Sequence, residues 1–132
     1  YLKFVQMILN DGQGNGNRVL KKATVQLMSK NAMGKIRVTM LKPAGQGSSN
    51  DAEFFPGVPK GWGLSFMTNE EQAPTGRSKG SLAWAGLANS YYWIDRTKGV
   101  GGVLSTQILP FADVKALPLF YDFEKAVYQS LA

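Results

Sequence analysis

The 132-residue chain contains no cysteine and no histidine. Without cysteine there are no disulfides, no thiolate nucleophile and no Cys-ligated zinc. Without histidine there is no Ser-His-Asp triad and no imidazole metal site. Acid–base chemistry must fall to lysine, tyrosine or carboxylates. The lack of cysteine does not reveal a compartment. Acidic residues are scarce too: nine Asp and Glu stand against 15 Lys and Arg, a formal charge of +6. That balance raises nucleic acid or an anionic surface as partner. The basic residues, however, occur singly or in short groups (Lys21-Lys22, Arg77-Ser78-Lys79, Arg96-Thr97-Lys98) and never as a run of five, the pattern of a solvated face. Nucleic acid is not the expected partner. No stretch approaches the ~18 apolar residues of a membrane span, and no charged-then-apolar signal segment opens the chain. Tyr1 stands first, already inside a periodic apolar pattern, so the sequence reads as a piece of something longer.

What is present suits one globular unit: 44% of residues are hydrophobic and 18% charged. Leu2, Val5 and Leu9 form one stripe, broadened by Phe4, Met7 and Ile8, which predicts a helix ending at Asn10-Asp11-Gly12. Gln13 to Asn17 reads as a turn-rich loop. Its G-x-G-x-G pattern invites a phosphate-cradling reading, but such a loop should follow a strand and this one follows a helix. Lys22 to Met33 predicts a second helix, stopped by Gly34, and Ile36 to Leu41 a short strand. The Pro/Gly/Ser-rich stretch up to Lys60 is a long irregular connection.

Gly61 to Thr68 alternates Trp62, Leu64 and Phe66 against smaller residues, which predicts a strand. Ser81–Trp84, Ser90–Ile94 and Val100–Ile108 are further apolar runs joined by short turns, so the sheet should be antiparallel. Asp95 to Gly99 has hairpin chemistry, with Gly99 free to take a positive φ. Asp113 can cap a closing helix carrying Phe120, Phe123, Val127 and Leu131, with Pro118 near its first turn. The expected class is α+β: an antiparallel sheet with N-terminal helices and a C-terminal helix packed on it. Residues 1–34 are helical, 35–60 irregular, 61–109 strands and 113–131 the last helix.

The cluster Trp84, Tyr91, Tyr92, Trp93 offers either a stacking platform for a ligand or a sheet core. Tyr91 and Trp93 must share one face and Tyr92 the other, so only part of the cluster can meet a ligand. A non-catalytic basic module using that aromatic face is the alternative to an enzyme. No two carboxylates are placed by a regular element, so a glycosidase-type pair is unsupported.

Several segments together resemble the C-terminal part of the serine β-lactamase and penicillin-binding-protein superfamily, in its class C-like branch with family VIII carboxylesterases and related acyltransferases. They are Gly61-Trp62-Gly63-Leu64, Gly80-Ser81-Leu82-Ala83-Trp84-Ala85-Gly86, Ser90-Tyr91-Tyr92-Trp93-Ile94-Asp95, Gly99-Val100-Gly101-Gly102-Val103 and Thr106-Gln107-Ile108-Leu109-Pro110-Phe111. The helical stretch before them, with Tyr1-Leu2-Lys3-Phe4 and Thr24-Val25-Gln26-Leu27-Met28, resembles the region that precedes the family's sheet. The resemblance implies a partial β-lactamase-like fold and a covalent acyl-enzyme, with no metal and no cofactor. The family's Ser-x-x-Lys pair is missing: no serine here has a lysine three residues later. Its Tyr-x-Asn or Ser-x-Asn element belongs, by the resemblance, to the same absent segment. The resemblance places both upstream of Tyr1, leaves no catalytic residue in this chain, and implies that the 132 residues alone are inactive.

Trp84-Ala85-Gly86 stands where the family carries a Lys-Thr-Gly-type triplet on the active-site strand. Tryptophan cannot offer a β-lactam carboxylate the charge that lysine would, which favours neutral ester substrates over β-lactams or amides. Lys79-Gly80-Ser81 imitates the triplet but lies early relative to the next strand. The implied substrate-binding residues are Trp84, Ala85, Gly86 and Leu87, with a backbone N–H just after Gly86 for the oxyanion and Trp84 on the acyl group. The expected partners are a small ester or amide substrate, and either the missing N-terminal portion or a second copy at exposed sheet edges.

Overall fold

The computed structural model describes residues 1–45 and 47–131. Five antiparallel strands form one sheet in chain order: β3 (Lys60–Trp62), β4 (Met67–Asn69), β5 (Leu82–Gly86), β6 (Ser90–Asp95) and β7 (Val100–Leu104). Two helices, α1 (Leu2–Leu9) and α2 (Lys22–Met28), cover one face. The closing helix α3 (Ala116–Ser130) covers the other. The arrangement is α+β. Among the described residues no helix is long and apolar enough to cross a membrane.

Strand β6 carries both cores. Tyr91 and Trp93 pack with Met67, Ala83, Phe120 and Tyr128 under α3, while Tyr92 and Ile94 pack with Val5, Ile8, Val25, Phe66 and Leu82 under α1 and α2. All four β6 side chains are buried, so the period-two division of the aromatic run holds and both of its faces are core. No ring of this strand is free to stack on a base, so of the aromatic cluster only Trp84 remains partly exposed. The expected hairpin after Asp95 is present, pairing Asp95 with Val100 and turning on Gly99 at φ +67°.

Several elements depart from expectation for identifiable reasons. Gln13 to Arg18 is a small hairpin, β1 (Gln13–Gly14) against β2 (Asn17–Arg18), rather than a loop. Its Asn15-Gly16 turn puts both residues at positive φ, as a two-residue hairpin requires. Helix α2 stops at Met28, because the chain beyond it serves the sheet edge: Ala32 N–H donates to Trp62 O and Val38 N–H to Lys60 O. Ile36–Leu41 is therefore not a strand of its own, although Leu41 bridges Ala52. Gly61–Thr68 is two strands, β3 and β4, folded back through a turn in which Gly63 N–H donates to Phe66 O. Leu64 at that turn is 58% exposed while Phe66 is fully buried, which breaks the alternation. The run from Val100 leaves the sheet at Leu104.

On α1, Leu2 is exposed, and Val5, Met7 and Ile8 make the buried stripe. On α3 the buried stripe is Ala116, Phe120, Glu124 and Tyr128, with Phe123 and Leu131 on the exposed side. Asp113 accepts the N–H groups of Lys115 and Ala116, the cap expected of it. Pro118 falls in the first turn, where its missing amide costs no helical bond.

Two acidic side chains are fully buried. Glu124 meets the guanidinium of Arg77 and the hydroxyl of Thr75. Asp95 accepts the N–H groups of Ser78, Thr97 and Lys98 and the hydroxyl of Tyr128. Burial alone would raise the Asp95 carboxyl, but the donors from Ser78, Lys98 and Tyr128 outweigh it and hold the group below its ordinary value. A carboxyl depressed on folding contributes stability in full above its unfolded value, about 3.9, and loses it as pH falls through the folded value. Asp95→Asn should therefore be less stable near neutral pH yet lose less further stability on acidification below about pH 4. Urea midpoints of both proteins across that range check this.

Candidate functional site

The segment Trp84–Gly86 forms the far half of β5, and β4 does not reach it. Pairing between the two strands is confined to Met67 with Ala83 and Thr68 with Leu82. Beyond Ala83 the β4-side edge of β5 has no strand partner among the described residues. On its other side β5 pairs with β6 along its whole length, Gly86 opposite Ser90. Trp84 wraps round the open edge and touches both cores. Its ring meets Trp62 edge-on at 4.4 Å and lies 6.1 Å from Phe54. The indole is half-buried, Ala85 is half-buried, and Gly86 is exposed. Ala85 and Gly86 also border a cavity of about 240 Å³ with Tyr1, Ser90, Tyr92 and Val103. A larger cavity, about 430 Å³ between α1 and the β1–β2 hairpin, shares no residue with it.

Leu87, Ala88 and Asn89 join β5 to β6. Asn89 N–H closes on Gly86 O at 3.0 Å, and Asn89 takes φ +59°, a conformation asparagine tolerates better than most residues. The Leu87 N–H donates to no acceptor among the described residues. Asn89 is fully buried, and its carboxamide makes four hydrogen bonds. Nδ2 donates to Ile108 O and Pro110 O, both at 2.7 Å, and Oδ1 accepts from the Tyr91 hydroxyl at 2.6 Å and Asp113 N–H at 3.0 Å. The Thr106 hydroxyl adds bonds to Ala88 O and Asn89 O. The loop after Gly86 is thus tied to residues 106–113 and to the start of α3. Sequence reading passed over Asn89. The available signal was an asparagine at the end of a three-residue hairpin loop, where a positive φ is needed.

Burial pushes the Tyr91 hydroxyl up to about 12, so it stays protonated and donating. It is a structural donor, not an acid–base group. The buried carboxylates Asp95 and Glu124 are likewise committed to structural donors, and no three acidic side chains among the described residues converge to hold a metal. What the site offers chemically is an open strand edge, an unengaged N–H and aromatic walls.

No family model matches the chain, and no curated protein matches it. Solved structures do. Unliganded simvastatin synthase (LovD) from Aspergillus terreus is 23% identical, superimposes with a TM-score of 0.73 over 98% of this chain, and is covered over 33% of its own length. Its LovD6 mutant gives 24% and 0.74 over the same shares. A penicillin-binding protein homolog from Caulobacter crescentus is 17% identical, with a TM-score of 0.59 over 92% of this chain and 30% of its own. The chain carries part of a β-lactamase-like fold. It spans about a third of the length of the structures it matches. Within a β-lactamase-like fold the four expected substrate-binding residues, Trp84, Ala85, Gly86 and Leu87, are contiguous on β5 and the loop that leaves it.

Glycine at 86 is not demanded by this fold. A Cβ there would meet only Ser90, at 3.9 Å or more, and the backbone is not left-handed. At Gly102 a Cβ would overlap the Trp93 ring. Gly86→Ala should therefore shift stability by less than about 0.5 kcal/mol, whereas Gly102→Ala should cost about 1–3 kcal/mol, read from denaturant midpoints.

Proposed function

We propose that this chain supplies the antiparallel-sheet part of a serine hydrolase that cleaves neutral esters through an acyl-enzyme. Its nucleophilic serine and lysine would come from polypeptide outside these 132 residues. The observation that carries the reading is the open edge of β5 at Trp84-Ala85-Gly86, followed by the unengaged N–H of Leu87. The fold shared with simvastatin synthase and a penicillin-binding protein homolog supports it.

In this reading the serine hydroxyl attacks the ester carbonyl as the lysine takes its proton, and the alcohol leaves. The carbonyl oxygen gains negative charge in that step, and the Leu87 N–H donates to it. Trp84, backed by Trp62 and Phe54, lines the acyl group. An indole gives an apolar wall and no cation, so a substrate carboxylate finds no partner at position 84. Gly86 keeps the strand bare, so that a substrate can approach the backbone.

In the polypeptide that joins this chain to a Ser-x-x-Lys segment, p-nitrophenyl esters should be turned over well and a chromogenic cephalosporin poorly. Trp84→Ala should shift the preferred acyl chain length, and Gly86→Val should lower turnover of all esters by about a hundredfold. Robust cephalosporin turnover without ester hydrolysis would overturn the reading. So would full ester activity in Gly86→Val. The 132-residue chain by itself should turn over neither substrate.

Strand β7 supports the accompanying partner. Its outer edge has no strand partner among the described residues, and Val100–Leu104 carries no charge, proline or bulge to discourage pairing. The isolated chain should associate, with a complementing segment or with itself, and sedimentation at high concentration should show species above the monomer. A clean monomer there counts against an open β7 edge.

A further inference from the structure

The N–H proposed to meet the oxyanion belongs to the peptide between Gly86 and Leu87, and the carbonyl of that same peptide is Gly86 O. In a trans peptide the two point in opposite directions, so holding one aims the other. Gly86 O accepts the Asn89 N–H at 3.0 Å. The Leu87 side chain is exposed and buries too little to anchor the peptide by itself. The aim of the donor therefore depends on what holds Asn89.

Asn89 is held from several segments at once. Its buried carboxamide has two N–H groups and two lone pairs to satisfy, and all four are used. Nδ2 reaches Ile108 O and Pro110 O in the chain that follows β7. Oδ1 takes the Asp113 N–H, just before α3, and the Tyr91 hydroxyl. Tyr91 is fixed in turn, for it is buried and its ring stacks on Phe120 of α3 at 4.9 Å. The backbone adds one more tie, since Asn89 O accepts the Thr106 hydroxyl at 2.9 Å. At φ +59° the residue must be one that tolerates a left-handed conformation. Glycine would meet that requirement without a carboxamide, so conformation alone does not call for asparagine. What asparagine adds is the four side-chain bonds.

We propose that Asn89 is the positioning residue of the oxyanion donor. Its carboxamide fixes Asn89, and the Asn89 N–H fixes the Gly86–Leu87 peptide in the orientation that presents the Leu87 N–H. Were that peptide to turn over, a carbonyl oxygen would meet the developing oxyanion and repel it. Turning it over breaks the bond from the Asn89 N–H. A preorganised donor needs no rearrangement at the moment of reaction, and a misplacement of about 1 Å can cost on the order of a hundredfold in rate. The inference rests on the proposed ester hydrolysis and gives Asn89 no contact with substrate.

The test compares Asn89→Gly with the unsubstituted protein. Glycine keeps the backbone N–H and accepts the positive φ, and only the carboxamide is lost. In the isotopically labelled 132-residue chain, the NMR order parameter of the Leu87 N–H should fall from about 0.85 to below about 0.6. In the polypeptide that carries the Ser-x-x-Lys segment, kcat for p-nitrophenyl esters should fall about a hundredfold, with KM within about twofold. An alkylboronic acid, which takes the serine oxygen on boron and presents a tetrahedral oxyanion, should bind about a hundredfold more weakly. A mere loss of folded enzyme lowers the apparent kcat but leaves that affinity unchanged. Tyr91→Phe removes one of the four bonds and should give the same pattern at about tenfold, which decides the matter if Asn89→Gly does not fold. The inference is overturned if the Leu87 amide stays as ordered in the variants as without them. Unchanged boronate affinity in the variants, while the unsubstituted enzyme hydrolyses esters, overturns it as well. An unsubstituted enzyme that hydrolyses no ester overturns the hydrolase reading instead, and the Leu87 order parameter alone then decides whether Asn89 holds the loop.

Discussion

The fold turns on a carboxylate that the apolar side of α3 could not otherwise accept. Glu124 sits in the buried stripe of that helix between Phe120 and Tyr128, and it is tolerable there only because Arg77 meets it with two N–H groups and Thr75 with a hydroxyl. The guanidinium in turn lies 5.0 Å from the Phe55 ring. Removing either partner would strand a charge in the interior at a cost of about 3–5 kcal/mol, whereas an apolar pair of the same volume could be neutral. Net stability is thus not what the pair chiefly supplies. It admits one seat for α3 against the segment from Ala73 to Ser78, because any other placement leaves both ions unmatched.

That segment leads directly to the sheet. Ser78 N–H reaches Asp95, which also takes the Tyr128 hydroxyl from the same helix. Asp95 ends β6, and Asn89 immediately precedes it. Strand β6 is therefore gripped at both ends by a buried polar side chain whose hydrogen bonds run to other segments. Between the grips lie the four residues that form both cores. The candidate site at Gly86–Leu87 inherits its position from the Asn89 end of this strand, since the loop it occupies is bonded to residues 106–113.

What the sequence made legible is what short-range physics decides. The alternation of Tyr91, Tyr92, Trp93 and Ile94, the turn at Gly99 and the cap at Asp113 each depend on residues a few positions apart. What escaped depends on distant partners. Nothing in the sequence pattern singles out Glu124, because its counter-ion lies 47 residues earlier. Asn89 went unnoticed because the groups it binds outside its own strand lie 19 to 24 residues later. The end of α2 was misplaced because residues 32–38 are claimed by the edge of β3, a competitor invisible to helical periodicity. Nothing local announces that β4 stops at the pair just before Trp84, which leaves the far half of β5 open.

The two margins of the sheet are unequal. The β3 margin is already satisfied by Ala32 and Val38, which occupy Trp62 and Lys60 carbonyls with amides from a non-strand segment. The β7 margin has no strand partner among the described residues. Two identical copies joined β7 to β7 would leave only their blocked β3 margins at the two ends of the combined sheet. Growth into an open-ended fibril, the usual hazard of a flat apolar edge, is stopped by geometry rather than by charge.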